Sequence, residues 1–265
     1  MTSLAELPVA RRPDEVPALA LAGACKRFGA VTALDAISLE VRHGEVLALL
    51  GDNGAGKSTL IKCLSGVHRL DSGSIEADGV PVSIHAPADA RALGIETVYQ
   101  DLALFDNLRP TDNFYAGREL AGPRWVPRSL RLIRRKQMTD STRDVLERLR
   151  VALPDINAPV GLMSGGQRQA VAIARTRLSE AKIVLMDEPT AAISVRQVAE
   201  VLGLIRRLRD AGITVVLISH RMPDVFEVCD RVVVMRRGRK VADKLIASSS
   251  PEEVTGLITG AIHVA

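Results

Sequence analysis

The fold of this chain is decided by residues 51–58, which read Gly51-Asp52-Asn53-Gly54-Ala55-Gly56-Lys57-Ser58. They fill every fixed position of the pattern G-x-x-x-x-G-K-[ST], which is typical of loops that bind phosphate groups. The apolar run Val46–Leu50 before the loop predicts a buried strand, and a helix-compatible stretch follows from Lys57 to about Val67. The loop is therefore predicted at a turn from strand to helix, where a helix N-terminus can face an anion.

The residue types in this loop suit the phosphates of a nucleotide. Glycines allow successive backbone N–H groups to turn inward around phosphate oxygens. Lys57 can place its charge on the β- and γ-phosphates, and the hydroxyl of Ser58 can bind Mg²⁺. A chance glycine-rich turn is the alternative, and the strand and helix on either side argue against it. We predict nucleotide contacts from Asn53, Gly54, Ala55, Gly56, Lys57, Ser58 and Thr59.

A second apolar run ends in two acidic residues and reads Ile183-Val184-Leu185-Met186-Asp187-Glu188. It predicts a buried strand over residues 182–187 that carries Asp187 to the edge of a sheet, where its carboxylate can hold Mg²⁺ through water. Glu188 follows directly and can orient or deprotonate a water that attacks the γ-phosphate. Alone, the run is also consistent with a strand that ends in solvated acids. Beside the phosphate-binding loop, the catalytic interpretation is favoured.

Strand and helix patterns alternate along the chain. Strands are predicted over residues 18–22, 37–41, 74–78, 95–99 and 214–219, helices over 89–93 and 195–210, a hairpin around Arg237-Gly238, and a last helix after Pro251. Between about residues 111 and 181 the patterns are helical. This order predicts an α/β fold with a mostly parallel core sheet and a helical subdomain inserted at about 111–181. Residues 1–17 are predicted as a flexible leader and residues 18–265 as one domain.

The composition excludes several classes of protein. Of the 265 residues, 47% are hydrophobic and 25% are charged, as is usual for a soluble globular protein. The longest apolar runs have about five or six residues, whereas a membrane span needs roughly 20. The N-terminus lacks the apolar core of a secretory signal. Because Cys25, Cys63 and Cys229 are far apart, we interpret them as buried, reduced thiols of a cytosolic protein rather than a zinc site or a disulfide framework.

A third motif, at residues 162–167, reads Leu162-Met163-Ser164-Gly165-Gly166-Gln167 and resembles the LSGGQ signature of ATP-binding cassette (ABC) ATPases. Met163 stands in the place of the usual leucine. Gln100 follows a predicted strand where the glutamine of the family's Q-loop belongs, and His220 follows another strand as the family's switch histidine does. Phe28 resembles the aromatic position that stacks on adenine. These motifs span residues 19–243 in the family's order, so the chain is identified as a member of this family.

The resemblance implies an ABC cassette of the P-loop NTPase fold, in which an antiparallel β subdomain and the helical insertion accompany the core sheet. It implies ATP and Mg²⁺ as cofactors and ATP hydrolysis as the activity. Phe28 would stack on adenine, and packing in the core is the alternative for this residue. The catalytic residues that the resemblance implies are Lys57, Gln100, Glu188 and His220. The Mg²⁺ ligands that it implies are Ser58, Gln100 and Asp187.

The resemblance also implies that two cassettes act together. The helix that opens at the signature would meet the γ-phosphate of an ATP bound to a second subunit, so two cassettes would sandwich two ATP molecules. Since the chain carries one copy of each motif, a homodimer or a second, separate cassette would complete the sites. Ser194 stands where the D-loop of most family members ends in Asp, which leaves the coupling between the sites open. The signature residues implied in the contact are Ser164, Gly165, Gly166 and Gln167.

Three segments indicate the branch of the family, because residues 97–104, 113–119 and 188–197 resemble the cassettes of bacterial carbohydrate importers. The implied protein is a peripheral ATPase on the cytoplasmic face of the inner membrane. Its partners would be membrane permease subunits and, indirectly, an extracytoplasmic solute-binding protein. The alternatives are import of another small solute and a non-transport ABC ATPase, which usually carries long coiled coils or two cassettes. A P-loop kinase or GTPase would not account for the signature or for His220.

A positive net charge, here +4, is one feature of nucleic-acid binders, and the test is whether the excess charge is spread out or lies in one place. The excess is local instead, since residues 121–139 contain no acidic residue and the rest of the chain is slightly negative. Nucleic acid is therefore not an expected partner. Two interpretations of the segment stay open, a solvated face and a contact with anionic lipid head groups or acidic permease loops. Its basic residues are Arg124, Arg128, Arg131, Arg134, Arg135 and Lys136.

Overall fold

The computed structural model describes residues 16–122, 125, 132–191 and 193–262. Within them the strands are β1 (Leu19–Phe28), β2 (Val31–Val41), β3 (Val46–Leu50), β4 (Ser72–Ala77), β5 (Val80–Val82), β6 (Ile95–Val98), β7 (Ile183–Asp187), β8 (Thr214–Ile218), β9 (Arg231–Arg236) and β10 (Arg239–Leu245). The helices are α1 (Lys57–Leu64), α2 (Pro87–Ala92), α3 (Pro110–Tyr115), α4 (Arg135–Arg148), α5 (Gly165–Leu178), α6 (Val195–Asp210), α7 (Met222–Val228) and α8 (Pro251–Thr259). The predicted α/β class is confirmed.

The core of the molecule is a six-stranded sheet in the order β10-β9-β3-β8-β7-β6. Strands β9, β3, β8, β7 and β6 are parallel, and β10 pairs with β9 as the predicted antiparallel hairpin around Arg237-Gly238. Every residue of β3 and β8 is buried. Parallel strands are buried on both faces, which explains why these two strands are unbroken apolar runs in the sequence.

The second sheet is antiparallel, with four strands in the order β2-β1-β4-β5. It is the β subdomain that the resemblance implies. β1 and β2 are much longer than the predicted strands 18–22 and 37–41, because their pairing continues through register shifts near Ala24 and Lys26 as far as Phe28 opposite Val31. Such shifts interrupt the alternation of inward and outward side chains, so the sequence pattern reveals only the regular ends.

The helices match the sequence patterns to different degrees. The helix predicted over residues 195–210 is α6, with the same bounds, and α8 follows directly from Pro251. α1 ends before the predicted limit at Val67, because Gly66 turns the chain with a φ of 77° close against the backbone of Ala86. No pattern predicted α7, since its seven residues are too few for a clear helical period.

Helices α3, α4 and α5 lie between β6 and β7, in the segment predicted as the helical insertion. The limits of this insertion and the domain boundary between residues 17 and 18 stay predictions, and residues 1–15 lie outside the described part of the chain. In the basic segment, Arg134 precedes α4, Arg135 and Lys136 begin it, and all three are exposed. Both interpretations of that segment stay open, because its other basic residues lie outside the described residues: Arg124, Arg128 and Arg131.

In the part of the chain that the structure describes, no helix is long and apolar enough to cross a membrane. All three cysteines are free thiols, and Cys63 and Cys229 are buried. Burial raises the pKa of the Cys63 thiol to about 11. The expectation of a third buried thiol is wrong, because Cys25 is half-buried in the irregular part of β1, where its sulfur accepts a hydrogen bond from the Ala36 backbone N–H.

A buried ion network joins the two sheets. The guanidinium of Arg231 in β9 donates to Glu45 Oε1 at 2.7 Å, to Asp243 Oδ1 in β10 at 2.7 Å and to the backbone carbonyl of Glu40 in β2 at 2.6 Å. The side chains of Arg231 and Glu45 are only 8% and 9% exposed. Burial by itself raises the pKa of the Asp243 carboxyl, but the hydrogen bonds and charges of Arg231 and Lys240 together outweigh it and hold that pKa below its ordinary value. The network therefore stays ionised and fixes one sheet against the other.

Candidate functional site

The residues predicted to bind phosphate and Mg²⁺ and to catalyse hydrolysis lie along one edge of the core sheet, whereas Phe28 lies on β1 of the second sheet and Ser164 at the start of α5. Strands β3, β6, β7 and β8 are parallel, so their carboxyl ends meet at that edge. Asp187 at the end of β7 pairs with Ile218 at the end of β8, which brings the residues after these two strands together. The topology thus assembles four segments that are distant in sequence, and the predicted residues that follow the four strands are Gly51, Gln100, Glu188 and His220.

The loop between β3 and α1 is shaped by backbone conformations that glycine adopts easily. Gly51, Gly54 and Gly56 have φ angles of 148°, 79° and 103°. Helix α1 begins at Lys57 without a side-chain cap, so its first backbone N–H groups are available to an anion. Lys57 Nζ donates to the carbonyls of Gly51 at 2.6 Å and Asp52 at 3.0 Å, which holds the ammonium over the loop. This arrangement is a cradle for a phosphate group.

The remaining predicted contacts of this loop differ in exposure. Asn53, Gly54 and Ser58 are exposed, and Thr59 is half-buried, so all four are accessible from the solvent. Ala55 is buried, and its backbone N–H donates to the carbonyl of Asp52 at 3.0 Å. Ala55 therefore serves the internal shape of the loop in this structure.

We expect Gly56→Ala to abolish nucleotide binding. An added Cβ would lie 2.4 Å from the backbone oxygen of Ala33, and a φ of 103° is strained for alanine, so the loop and the start of α1 must shift. The matched control is Gly212→Ala, outside the predicted site, where φ is 80° and no atom lies within 4 Å of the added Cβ. Titration with a fluorescent ATP analogue, with thermal unfolding in parallel, checks both variants. Equal losses of affinity would contradict the packing argument.

Two ionisable groups at this edge are shifted by burial. Burial lowers the pKa of the Lys57 ammonium, and the carboxylates of Glu188 and Asp187 oppose the shift. Burial also raises the pKa of the Asp187 carboxyl, and the charge of Glu188 adds to the rise, while a hydrogen bond from Ser58 opposes it. The surroundings of Lys57 and Asp187 therefore stabilise the charged forms of these two side chains less than water does. A phosphate facing Lys57 and a cation facing Asp187 would supply them.

Glu188 and His220 are in direct contact. His220 Nδ1 lies 2.7 Å from Glu188 Oε2, and the two side chains are 69% and 24% exposed. Glu188 has a φ of 51°, which is uncommon for a residue other than glycine, and strained backbone of this kind concentrates at functional sites. The backbone N–H of Glu188 donates to the carbonyl of Ile218 at 2.9 Å, which fixes it beside the end of β8. The carboxylate is thus held by its backbone and by an imidazole, and it can take a proton from a water molecule.

Gln100 is one of the two central residues of a turn after β6. The turn is closed by the backbone N–H of Leu102, which donates to the carbonyl of Tyr99 at 2.9 Å. Gln100 and Asp187 line the same surface pocket, because β6 and β7 are neighbours in the sheet. Two of the side chains predicted to bind Mg²⁺ through oxygen, Gln100 and Asp187, therefore lie at the same pocket.

Phe28 ends β1, and its side chain is 45% exposed, which argues against the alternative of core packing. The ring of His68 meets it at a centroid distance of 5.1 Å and an interplanar angle of 68°. Lys26 Nζ lies 5.5 Å from the Phe28 centroid and pairs with Asp71 Oδ1 at 2.7 Å. No sequence motif marks His68 or Lys26, and only the tertiary fold brings His68 to this ring.

The predicted signature forms the start of α5. Ser164 caps the helix, since its Oγ accepts from the Gln167 backbone N–H at 3.3 Å, and Gln167 Oε1 accepts from the Ser164 N–H at 2.9 Å. Gly165 is half-buried and Gly166 is buried. A Cβ on Gly166 would lie 2.6 Å from Gln197 Cγ, so this glycine allows α5 and α6 to approach closely. The signature is therefore a capped helix start, with Ser164 exposed at its tip.

The phosphate-binding loop and the carboxylate at the edge of a parallel sheet define an ATPase of the P-loop class. The chain belongs to the ABC transporter family, because the family model described as ABC transporter matches residues 34–191. As a member of this family it is an ATP-binding subunit whose hydrolysis of ATP is coupled to transport.

Similar proteins of known name cover almost the whole chain. The xylose/arabinose import ATP-binding protein XylG of Sulfolobus acidocaldarius is 46% identical over 88% of this chain and 90% of its own length. The fructose import ATP-binding protein FrcA of Rhizobium meliloti is 43% identical over 92% of this chain and 95% of its own length. The ribose import ATP-binding protein RbsA 1 of Streptomyces coelicolor is 43% identical over 92% of this chain, which spans only 47% of that protein.

Solved structures agree with the fold. The chain CbiO1 of Clostridium perfringens, part of an ABC transporter complex, superposes with a TM-score of 0.75 at 27% identity, over 91% of this chain and 93% of its own length. The ADP conformation of another ABC transporter cassette superposes with a TM-score of 0.74 at 26% identity, over 91% of this chain and 94% of its own length.

Proposed function

We propose that this chain is the ATP-hydrolysing subunit of an importer for a simple sugar. The observation that carries the proposal is the match over 90% of the length of a xylose/arabinose import protein at 46% identity. The names of the fructose and ribose import relatives support the same substrate class. The site contributes the second half of the proposal, since its side chains suit the hydrolysis of ATP.

In the proposed reaction the phosphates of ATP occupy the loop before α1. Lys57 exchanges its carbonyl partners for the β- and γ-phosphates, and the free N–H groups of α1 face the same charge. Phe28 offers its exposed ring to adenine. Glu188 accepts a proton from the attacking water, while His220 orients that carboxylate and contacts the γ-phosphate. Gln100 approaches the same water from the turn after β6.

The oxygen-bearing side chains at this edge suit Mg²⁺, which prefers oxygen ligands and binds through one or two carboxylates together with substrate phosphates. Ser58 and Asp187 interact with each other, and Gln100 opens onto the pocket that Asp187 lines. The raised pKa of Asp187 supports a cation here, because a positive charge would stabilise the ionised carboxylate. When bound, Mg²⁺ would neutralise phosphate charge, and Ser58, Gln100 and Asp187 would hold it.

A second cassette completes the proposed site. The signature at Ser164 is exposed, and so are two large apolar side chains beside it, Leu162 at 80% and Val195 at 82%. Ser164 and both apolar side chains are therefore accessible to a second protein. We therefore infer a head-to-tail dimer in which Ser164, Gly165, Gly166 and Gln167 face the γ-phosphate of the partner's ATP.

The proposed partners outside the dimer are membrane permease subunits, and the proposed location is the cytoplasmic face of the inner membrane. An extracytoplasmic sugar-binding protein would deliver the substrate to the permease. Sugar selection would then lie in the partners, while this chain supplies the energy. The supporting observation is again the naming of the relatives as import ATP-binding proteins.

The test is reconstitution of the chain with its permease and binding protein in proteoliposomes. We expect ATP hydrolysis to rise when xylose, arabinose, fructose or ribose is supplied to the binding protein, and labelled sugar to accumulate. Stimulation by an amino acid and by no sugar would overturn the substrate class and favour import of another small solute. An active ATPase that associates with no permease would favour a non-transport role.

Ser194 tests the coupling between the two proposed sites. It caps α6, because the Gln197 Oε1 accepts from the Ser194 N–H at 3.0 Å and the Ser194 Oγ accepts from the Gln197 N–H at 3.5 Å. Aspartate is an equally good cap, so Ser194→Asp should leave the melting temperature nearly unchanged, whereas Ser194→Ala should cost about 0.5–2 kcal/mol. We expect Ser194→Asp to raise the Hill coefficient for ATP hydrolysis. Unchanged turnover and cooperativity would count against a coupling role.

A further inference from the structure

We propose that Arg175 is a positioning residue for Gln100, and that it links the signature helix to the turn in which Gln100 lies. Arg175 stands on α5, about two helical turns beyond the signature. Its Nη1 donates to the backbone carbonyl of Ala103 at 3.0 Å, three residues after Gln100. The inference rests on the proposed function, because it assigns Arg175 a task in that same site.

The turn that Arg175 holds is strained. Leu102 and Ala103 have φ angles of 61° and 46°, so two successive residues other than glycine adopt the left-handed conformation. This conformation is unfavourable for residues with a Cβ and persists only where the surroundings impose it. The charged side chain of Arg175 donates a hydrogen bond to the second of these two residues, at the carbonyl of Ala103. It gives the strained conformation a fixed partner outside the turn.

The two ends of the turn are therefore anchored on different elements. On the β6 side, Val98 pairs with Met186 of β7, next to Asp187. On the other side, the anchor is the guanidinium of Arg175 on α5. Gln100 lies between these anchors, so its position depends on the sheet and on the signature helix together.

Arg175 stands among other charged groups. Burial lowers the pKa of its guanidinium, the charge of Arg118 lowers it further, and the Glu96 carboxylate on β6 opposes the shift. Arg118 Nη1 lies 3.5 Å from Glu96 Oε1. Arg118 also donates to the Phe114 carbonyl at 3.0 Å and to the Ser179 hydroxyl at the end of α5. Arg118 thus ties β6, α3 and α5 together beside Arg175. The Arg175 side chain is half-buried there, and its hydrogen bond to the Ala103 carbonyl gives it a defined position.

The test is a double-mutant cycle between Arg175→Met and Gln100→Ala, measured by ATP turnover. We expect Arg175→Met alone to lower kcat about tenfold to a hundredfold with little change in KM for ATP, because misplacement of about 1 Å has effects of this size and the phosphate loop is untouched. In the Gln100→Ala background, Arg175→Met should change kcat less than twofold, since the residue it positions is already absent.

The matched control is Arg177→Met on the same helix, which makes no side-chain contact to the turn among the described residues and should leave kcat within twofold of the wild type. If Arg175→Met does not fold, as thermal unfolding will show, Arg175→Gln carries the same cycle, since its side chain is polar but shorter than that of arginine. Arg175→Lys, which can still donate to the Ala103 carbonyl, should restore part of kcat. Equal losses of kcat in both backgrounds, or no loss in a folded Met or Gln variant, would overturn the inference. A wild-type protein that hydrolyses no ATP would instead overturn the proposed function.

Discussion

Glu188→Gln is expected to lower kcat for ATP hydrolysis by about a hundredfold to ten-thousandfold, which is the usual contribution of a general base. The amide cannot accept the proton of the attacking water, while its size and its contact with His220 Nδ1 are nearly preserved. ATP binding should persist, because the loop before α1 and Lys57 are unaltered. Steady-state turnover, together with equilibrium binding of ATP, measures the two effects separately.

The same variant should accumulate as an ATP-bound dimer, because the sandwich forms and hydrolysis no longer opens it. Size-exclusion chromatography with and without ATP checks this state. The matched control is Glu180→Gln, since Glu180 is an exposed glutamate with a φ of 52°, almost the same backbone conformation as Glu188 at 51°. The control should retain full turnover. Normal turnover in Glu188→Gln, or a monomer in the presence of ATP, would argue against the assigned base and against the dimer respectively.

Arg231→Met is expected to reduce the free energy of unfolding by about 3–5 kcal/mol, because removing one partner leaves buried charges without compensation. Glu45, 9% exposed, and Asp243 would both lose their guanidinium, and the carbonyl of Glu40 would lose a donor. Urea unfolding followed by circular dichroism measures the difference. A loss below about 1 kcal/mol would mean that the network does not hold the sheets together.

The control for this prediction is Arg239→Met, in the same hairpin. Arg239 Nε lies 2.6 Å from Asp35 Oδ2, slightly closer than the 2.7 Å of the two ion pairs in the buried network, but its side chain is 71% exposed. Exposed pairs contribute about 0–1 kcal/mol, so this variant should unfold almost as the wild type does. If the N–O distance alone decided how much an ion pair stabilises the protein, Arg239→Met would reduce the free energy of unfolding more than Arg231→Met.

The pH dependence of the Arg231 effect follows from the lowered pKa of Asp243. A carboxyl whose pKa is lower in the folded state stabilises the protein above its ordinary pKa, and this contribution is lost as the pH falls through the folded value. The difference in unfolding free energy between the wild type and Arg231→Met should therefore be largest near neutral pH and should narrow below about pH 4.

Features that depend on residues close together in the chain could be predicted from the sequence alone. The loop at residues 51–58, the run that ends in Glu188 and the bounds of α6 each depend on a local pattern, and their elements formed where the patterns predicted them. The core strands were recognisable because both faces of a parallel sheet are apolar.

The sequence was insufficient where side chains meet through the tertiary fold. His68 reaches the edge of Phe28 from the turn after α1, and Arg175 reaches the Ala103 carbonyl across the helical insertion, and neither contact has a spacing that a motif could encode. The full length of β1 could not be predicted for a different reason. Register shifts interrupt the alternation of buried and exposed side chains along this strand.

The close approach of α5 and α6 has a consequence for how the glycine at position 166 is read in related sequences. Its hydrogen atom, and no larger group, fits against the stem of Gln197. The packing of α5 against α6 within one chain therefore requires glycine at position 166, whether or not a nucleotide or a second subunit is bound. Glycine at the corresponding position of a related sequence therefore indicates that its two helices pack closely. A cassette without its catalytic carboxylate would still need this glycine for the packing of α5 against α6.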